Sequence, residues 1–226
     1  MGMGGTSLVP DFVEVSHTVE SGMKTYPGLP EPRVEVVLSY EKSRPKYAGG
    51  TQFYIASLHL CGNTGTYVDS PLHRYPGAAS LAELPLERLA HLPVEVVDAR
   101  GVEGRAIGPD RLAGRSLRGK AVLFLTGWSR HWGADAYFGP NPFLTRECCE
   151  ALVQAGTAFA GIDSLNIDDT GDLTRPAHTL LLGAGIPICE HMTNLEALPP
   201  SGGHLHAVPI AWKGGASFPV RAYVMY

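Results

Sequence analysis

The sequence predicts a single compact α/β domain with a mixed sheet. Three observations carry this. The 226 residues are 44% hydrophobic, enough to bury the core of one large domain or two small ones. No fixed-period repeat and no linker rich in Ser, Gly or charge divides them. Strand-like segments open the chain, alternate with helical ones through the middle, and close it again. The 27 Gly and 18 Pro stay below the roughly 25–30% that marks low complexity, so they read as ordered turns.

In chain order, strands are expected at 12–15, 34–40, 53–61, 94–98, 121–126, 159–163, 186–190, 206–211 and 219–226. These are short, apolar or alternating, and most are bounded by Gly, Pro or Asp. The best helix spans 142–155. Asn141 is placed to cap it and Pro142 suits its first turn. Leu144, Cys148, Ala151, Leu152 and Ala155 make its apolar stripe, and Gly156 fits the exit. Shorter helices are expected at 84–90, 109–112 and 176–182.

Charge and composition exclude several classes. A net charge of −4 argues against a nucleic-acid surface. A charged fraction of 18% argues against a solvated coil or long coiled coil. The longest apolar runs, such as 121–125, are too short to span a bilayer, and no basic stretch followed by an apolar one suggests a leader. Met1-Gly2 with Thr6 fits a loose acylation pattern, but residues 1–10 read more simply as a flexible Gly-rich start. Cys61, Cys148, Cys149 and Cys189 resemble neither a disulfide framework nor a CxxC knuckle, which points to a reducing cytoplasm.

There is no GxSxG elbow, Walker loop, HExxH or GxGxxG after a strand. The chemistry therefore concentrates in a polar turn running from His59 through Asn63, Tyr67, Asp69 and Ser70 to His73. Gly62 and Gly65 free its backbone, and Pro71 pushes Ser70 toward extended geometry. Asp69 and His73 then project from a stiff, non-helical loop, able to bind a metal or share a proton. A capping Asp and a surface His explain the same residues equally well. Downstream, His178 sits early in a short helix and Glu190 ends an apolar strand. If residues 183–185 reverse the chain, the two side chains approach, and a buried Glu190 demands a partner or a metal. An exposed strand-end Glu is the alternative.

Together these segments resemble the cyclase family, which includes bacterial kynurenine formamidase and related metal-dependent amide and lactone hydrolases. The resemblance covers most of the chain. It runs through Ser16-His17-Thr18, Gly22-Met23 and Tyr26-Pro27-Gly28, then the run from Gly65-Thr66-Tyr67-Val68-Asp69 to His73, and Leu84-Pro85-Leu86. It continues in Thr126-Gly127-Trp128, Tyr137-Phe138, Gly161-Ile162-Asp163, and from His178 through Glu190 to Asn194-Leu195. It implies a swivelling β/α fold with a barrel-like β core flanked by helices, and a homodimer or homotetramer.

The family loop reads HxGTHxDxPxH, and this chain departs from it twice, with Asn63 and Tyr67 in place of two metal-binding histidines. Of the family's two ion sites, the resemblance retains one whole, as Asp69, His178 and Glu190. His73 keeps the place of the general acid/base, and Tyr26 that of an aromatic contact to substrate. An amide oxygen is a weak ligand, and tyrosine binds metals mainly as phenolate. One divalent ion is therefore expected, manganese or zinc, with the oxygen-rich set tilting preference toward manganese, magnesium or calcium. Tyr67 is a candidate donor to a developing oxyanion, and Asn63 a substrate contact. The expected function is metal-assisted hydrolysis of an amide, formamide or lactone in a small molecule, with no nucleic-acid or membrane partner. A metal-free cyclase or dehydratase and a ligand-binding pseudoenzyme are the alternatives.

The remaining candidates read more plainly. His59 and Cys61 share a strand face with Asn63 and read as packed strand residues. His204 and His206 form an HxH pair facing one way, read as a surface pair with metal binding as the alternative. His17 lines the cleft or ends the first strand. Asp163, Asp168 and Asp169 read as turn and capping residues. Trp128 and Trp132 read as core or pocket wall.

Overall fold

The computed structural model describes residues 11–226; the acylation pattern and the flexible start expected over residues 1–10 lie outside them. In chain order the elements are β1 Phe12–Glu14, β2 Arg33–Leu38, α1 Tyr40–Ser43, β3 Ile55–His59, β4 Tyr67–Asp69, β5 Leu92–Asp98 and β6 Ala106–Ile107. There follow β7 Ala121–Leu125, β8 Phe143–Leu144, α2 Arg146–Ala155, β9 Phe159–Ile162, α3 Pro176–Gly183 and β10 Ile188–Glu190. β11 Ser201–His206, β12 Ser217–Pro219 and β13 Tyr223–Met225 complete the set.

Apolar runs become the parallel centre of the sheet. β5, β7, β9 and β10 pair in parallel, and β7 and β9 are buried at every position, as strands covered on both faces must be. Antiparallel strands extend both sides, giving the order β1-β13-β11-β5-β7-β9-β10-β4-β12. The sheet curls, because Val224 near one end and Val68 near the other join one core with Val94, Leu123 and Cys189. On the opposite face α2 and α3 pack over Val97, Val122, Phe124 and Ile162. No helix among the described residues is long and apolar enough to cross a membrane, and all four cysteines are free.

Several elements differ from expectation for local reasons. The long helix starts four residues late, at Arg146, because Phe143–Leu144 pair with Ala106–Ile107 instead. Thr145 is its cap, accepting from the Cys148 N–H at 3.2 Å, and Asn141 turns away to bond the Asn166 carbonyl. Gly156 ends it in the left-handed region as expected. Residues 86–88 and 109–112 make only 3₁₀ turns, whereas α3 forms where predicted. The strand expected at 206–211 lies earlier, at β11. The one expected at 219–226 splits into β12 and β13. β4 replaces part of the expected loop. Among the described residues β2 and β3 pair only with each other, and they form an exposed ribbon.

Candidate active site

Strand register assembles the site. β4 lies between β10 and β12, with Asp69 opposite Ile188 and Ser217, and Tyr67 opposite Glu190 and Pro219. Residues opposite one another share a face, so Tyr67, Asp69, Glu190 and Ser217 point together. Gly62 permits this closure: a Cβ there would lie 2.5 Å from the Ser217 carbonyl oxygen. His73 follows in the 3₁₀ turn Pro71–His73. Asp69 thus belongs to a strand, where the sequence suggested a loop.

The first turn of α3 brings in His178. The buried Asp168 carboxylate accepts from the Ala177 N–H at 2.6 Å and the His178 N–H at 3.2 Å, and lies 2.6 Å from His178 Nδ1. It caps the helix and orients the ring in one contact set. With the Nδ1 proton directed at Asp168, Nε2 faces the carboxylates, holding a proton in the metal-free protein and free to ligate once an ion displaces that proton. Nε2 lies 3.7 Å from Asp69 Oδ2 and 3.7 Å from Glu190 Oε1.

Each carboxylate has one engaged side. Ser217 Oγ donates to Asp69 Oδ1, while Asp69 Oδ2 is buried with no hydrogen-bond partner among the described residues. Tyr67 donates its hydroxyl to Glu190 Oε2, and the Ile167 N–H donates to Oε1 at 2.7 Å. The Tyr67 proton is therefore committed to Glu190, which corrects the expectation that it points at a substrate oxyanion. Glu190 is fully buried, not an exposed strand end. Ser217 Oγ also lies 3.1 Å from His73 Nδ1. A hydroxyl has one proton; with it given to Asp69, Ser217 accepts from His73 Nδ1–H and leaves His73 Nε2 as a base.

Burial sets the electrostatics. It pushes Glu190 up to about 7, aided by the Asp69 charge and opposed by His178. For His178 burial works the other way, but the hydrogen bond to Asp168 and the nearby charges of Asp69 and Glu190 outweigh it and raise it to about 10. Tyr67 is held well above its ordinary value by burial and by Glu190, so it stays a neutral phenol and a poor metal ligand. An unpartnered buried carboxylate oxygen beside an oriented imidazole fits a divalent cation. Asp69, His73 and His178 each offer a donor atom within 4.8 Å of the others, and Glu190 stands beside His178.

A cavity of about 400 Å³ opens over these groups. Tyr26, Asn63, Tyr67, His73, His178 and Glu190 all line it, so six of the seven site residues named from sequence meet there, with Asp69 buried beneath. Arg74 and Arg175 also line it. Sequence reasoning missed both arginines, Ser217, and the ring contact of Asp168, although the capping role expected of Asp168 is real.

Other candidates lie elsewhere. His59 sits on the exposed ribbon near Ser57 and Glu35. Asp163 ties down the turn at Thr126 and Gly127, and Asp169 reaches Arg105 at 3.4 Å. Behind the site, His191 is buried among Tyr67, Trp132 and Tyr137. His17 stacks on Trp132 at 3.9 Å.

Burial lowers His17 to about 4. Its folded value is below the unfolded value, so the unfolded chain binds the proton first. The stability this group contributes is full above about pH 6.5 and is lost as pH falls toward 4. With partial exposure discounted, the loss is about 2 kcal/mol. His17→Phe keeps the stack and removes the titration. Urea unfolding at pH 7 and pH 4.5 should show the variant losing less stability than the parent; equal losses would exclude the effect.

The Cyclase family model matches residues 13–169. A kynurenine formamidase of Salinibacter ruber is 30% identical over 219 residues, covering 93% of this chain and 95% of that protein. One from Paracidovorax citrulli is 27% identical over 179 residues, covering 74% and 78%. Isatin hydrolase A from Labrenzia aggregata, solved bound to benzyl benzoate, aligns with a TM-score of 0.82 at 25% identity over 96% of this chain and 93% of its own. Its counterpart from Ralstonia solanacearum aligns at 0.79 and 26% identity over 96% and 92%. Matched in sequence and in fold over most of its length, the chain belongs to the cyclase family.

Proposed function

We propose that the protein is a metal-assisted hydrolase that cleaves the C–N bond of a small aromatic formamide or cyclic amide, or the corresponding lactone. The observation that carries this is the buried, unpartnered Asp69 Oδ2, 3.7 Å from His178 Nε2. The kynurenine formamidase and isatin hydrolase relatives support the bond type.

Asp69, His178 and Glu190 would hold one divalent ion, with Asp168 and Tyr67 fixing the orientation of the second and third. Bound there, the ion supplies Lewis acidity, which makes water nucleophilic near neutral pH and polarises a carbonyl. His73 Nε2 takes the proton from the attacking water and returns it to the leaving nitrogen. The new C–O bond forms as the acyl C–N bond breaks, giving an acid and an amine or one ring-opened amino acid; in a lactone the ring acyl C–O bond breaks instead, the proton goes to the leaving oxygen, and the product is a hydroxy acid. Tyr26 and Asn63 contact the substrate. Arg74 and Arg175 place positive charge on the cavity wall, which suits a substrate or product carboxylate.

The test is turnover of formanilides and isatin by metal-stripped protein before and after adding Mn²⁺ or Zn²⁺. Activity lost on stripping and restored by one ion per chain is expected. Turnover unaffected by chelators would overturn the metal role. Binding without turnover of any amide or lactone would establish a binding protein instead.

A further inference from the structure

The wall of the cavity carries two guanidinium groups that the chain leaves without a counter-charge. Arg74 follows His73 directly and Arg175 stands three residues before His178, so each histidine of the site has a cation beside it in the chain. Arg74 is exposed and Arg175 half-buried, whereas Asp69 and Glu190 are fully buried. Arg74 Nε donates to Thr179 Oγ1 at 3.2 Å, and its guanidinium lies 5.4 Å from the centre of the Tyr75 ring. Arg175 Nη1 donates to Asn166 Oδ1 at 3.2 Å, an oxygen that also accepts from the Asp168 N–H at 3.0 Å. One edge of each group is thus steered by a neutral oxygen. Arginine has five N–H donors, and among the described residues neither side chain has a carboxylate within ion-pair distance. Asp172, the acidic residue nearest to Arg175 in sequence, gives its Oδ1 to Thr174.

The backbone at Arg175 is a second observation. Its φ of +49 and ψ of +62 lie in the left-handed region, which costs an L residue energy. Pro176 follows, and the residue before a proline is driven toward extended backbone, so the conformation is disfavoured twice. Glycine would adopt it freely. Helix capping does not account for the arginine: Asp168 accepts from the first N–H groups of α3, and Arg175 makes no side-chain cap contact. Strain kept on a cavity wall points to a side chain that the cavity uses.

We propose that Arg175, assisted by Arg74, binds a carboxylate that the substrate carries away from the bond being cut, and so selects anionic aromatic amides over neutral ones. This rests on the hydrolase reading of the cavity. A planar guanidinium with a free edge matches a carboxylate through two parallel N–H donors. Asp69 and Glu190 repel an anion from the cavity floor, while the two cations on the wall attract it. The substrate is therefore held with its carboxylate toward the arginines and its amide toward Asp69, His73 and His178. Tyr26, Pro27 and Leu29 line the same cavity and supply an apolar surface for the ring.

The test compares formate release from each formamidobenzoate isomer with release from its neutral carboxamide counterpart, using the manganese-loaded full chain. The parent should favour the anionic member of at least one pair by about ten-fold or more in kcat/KM. In Arg175→Gly that preference should fall by about ten-fold or more, and in Arg175→Lys, which keeps the charge and loses the fork, by less. The intrinsic reactivities of the two compounds cancel between parent and variant. Arg175→Gly should melt at the parent temperature or about 2 °C above it, because glycine relieves the strain. A lower melting temperature with an unchanged preference would assign Arg175 a structural duty and overturn the proposal. Calorimetric titration of the metal-stripped chain with the aminobenzoate isomers gives a readout free of turnover: Arg175→Gly should bind the best of them about ten-fold more weakly, and the matching aminobenzamide equally well. Formate release with preference and aminobenzoate affinity unchanged in Arg175→Gly would overturn the proposal and leave the hydrolase reading standing. No formate from any pair would overturn that reading, and the aminobenzoate titration would still decide whether Arg175 binds a carboxylate.

Discussion

Asp69→Asn should lower kcat/KM for the cleaved amide by about 10³-fold or more, while leaving the metal-free protein as stable as the parent or more so. Both halves follow from one atom. Asp69 Oδ2 is fully buried with no donor to satisfy it, and it faces the neighbouring Glu190 across His178 Nε2. Asp69 and Glu190 set two buried carboxylates against the single His178 cation, an excess of negative charge that costs stability unless a metal ion compensates it. Asparagine removes the charge and keeps the shape, so the apo protein gains about 1 kcal/mol while the ion loses its anionic ligand. Thermal melts with and without Mn²⁺ should show the order reversing: the parent gains on loading and the variant does not. A variant that keeps activity within ten-fold of the parent would show that Asp69 has another role.

Asp168→Ala should be the most destabilising single change in the site, by about 3–5 kcal/mol. The carboxylate is fully buried and serves three groups: two backbone N–H donors at the start of α3 and the His178 ring. Its loss uncaps the helix and leaves a raised, protonation-prone histidine without its nearest anion. Asp168→Asn separates the two duties. An amide oxygen still accepts from the helix N–H groups, so most stability returns. The imidazole then loses its charged orienting partner, and metal affinity or kcat should fall about 10–100-fold. Denaturant midpoints and metal titrations on both variants check this. Equal activity in Asp168→Asn and the parent would reduce Asp168 to a helix cap.

Local pattern made much of this fold readable. Continuous apolar runs announced β5, β7 and β9, Pro176 announced α3, and the pairing of His178 with Glu190 followed from a reversal at residues 183–185. What stayed hidden depends on distant partners. β4 has three residues, and its identity as a strand comes from neighbours more than a hundred positions later. Ser217 carries no local mark of function; it matters because it reaches Asp69 across 148 residues. The late start of α2 has the same origin, since Phe143–Leu144 satisfy the helical pattern until β6 offers a ladder. Asp168 was legible as a cap, and its second duty appeared only once the helix it caps also carried the histidine.

The interleaving of β4 between β10 and β12 also dictates when the chemistry can exist. Asp69 and His73 leave the ribosome early, but each strand that must flank β4 is made much later, and β12 comes last of the three. Contacts of such long sequence separation form slowly, so the cavity is completed near the end of folding rather than around an early nucleus. Until Ser217 docks, Asp69 and Tyr67 sit on an open strand edge, exposed to wrong pairing. The nascent chain is therefore catalytically silent until its sheet has closed, and slow docking of β12 would appear as a lag between the return of secondary structure and the return of activity on refolding.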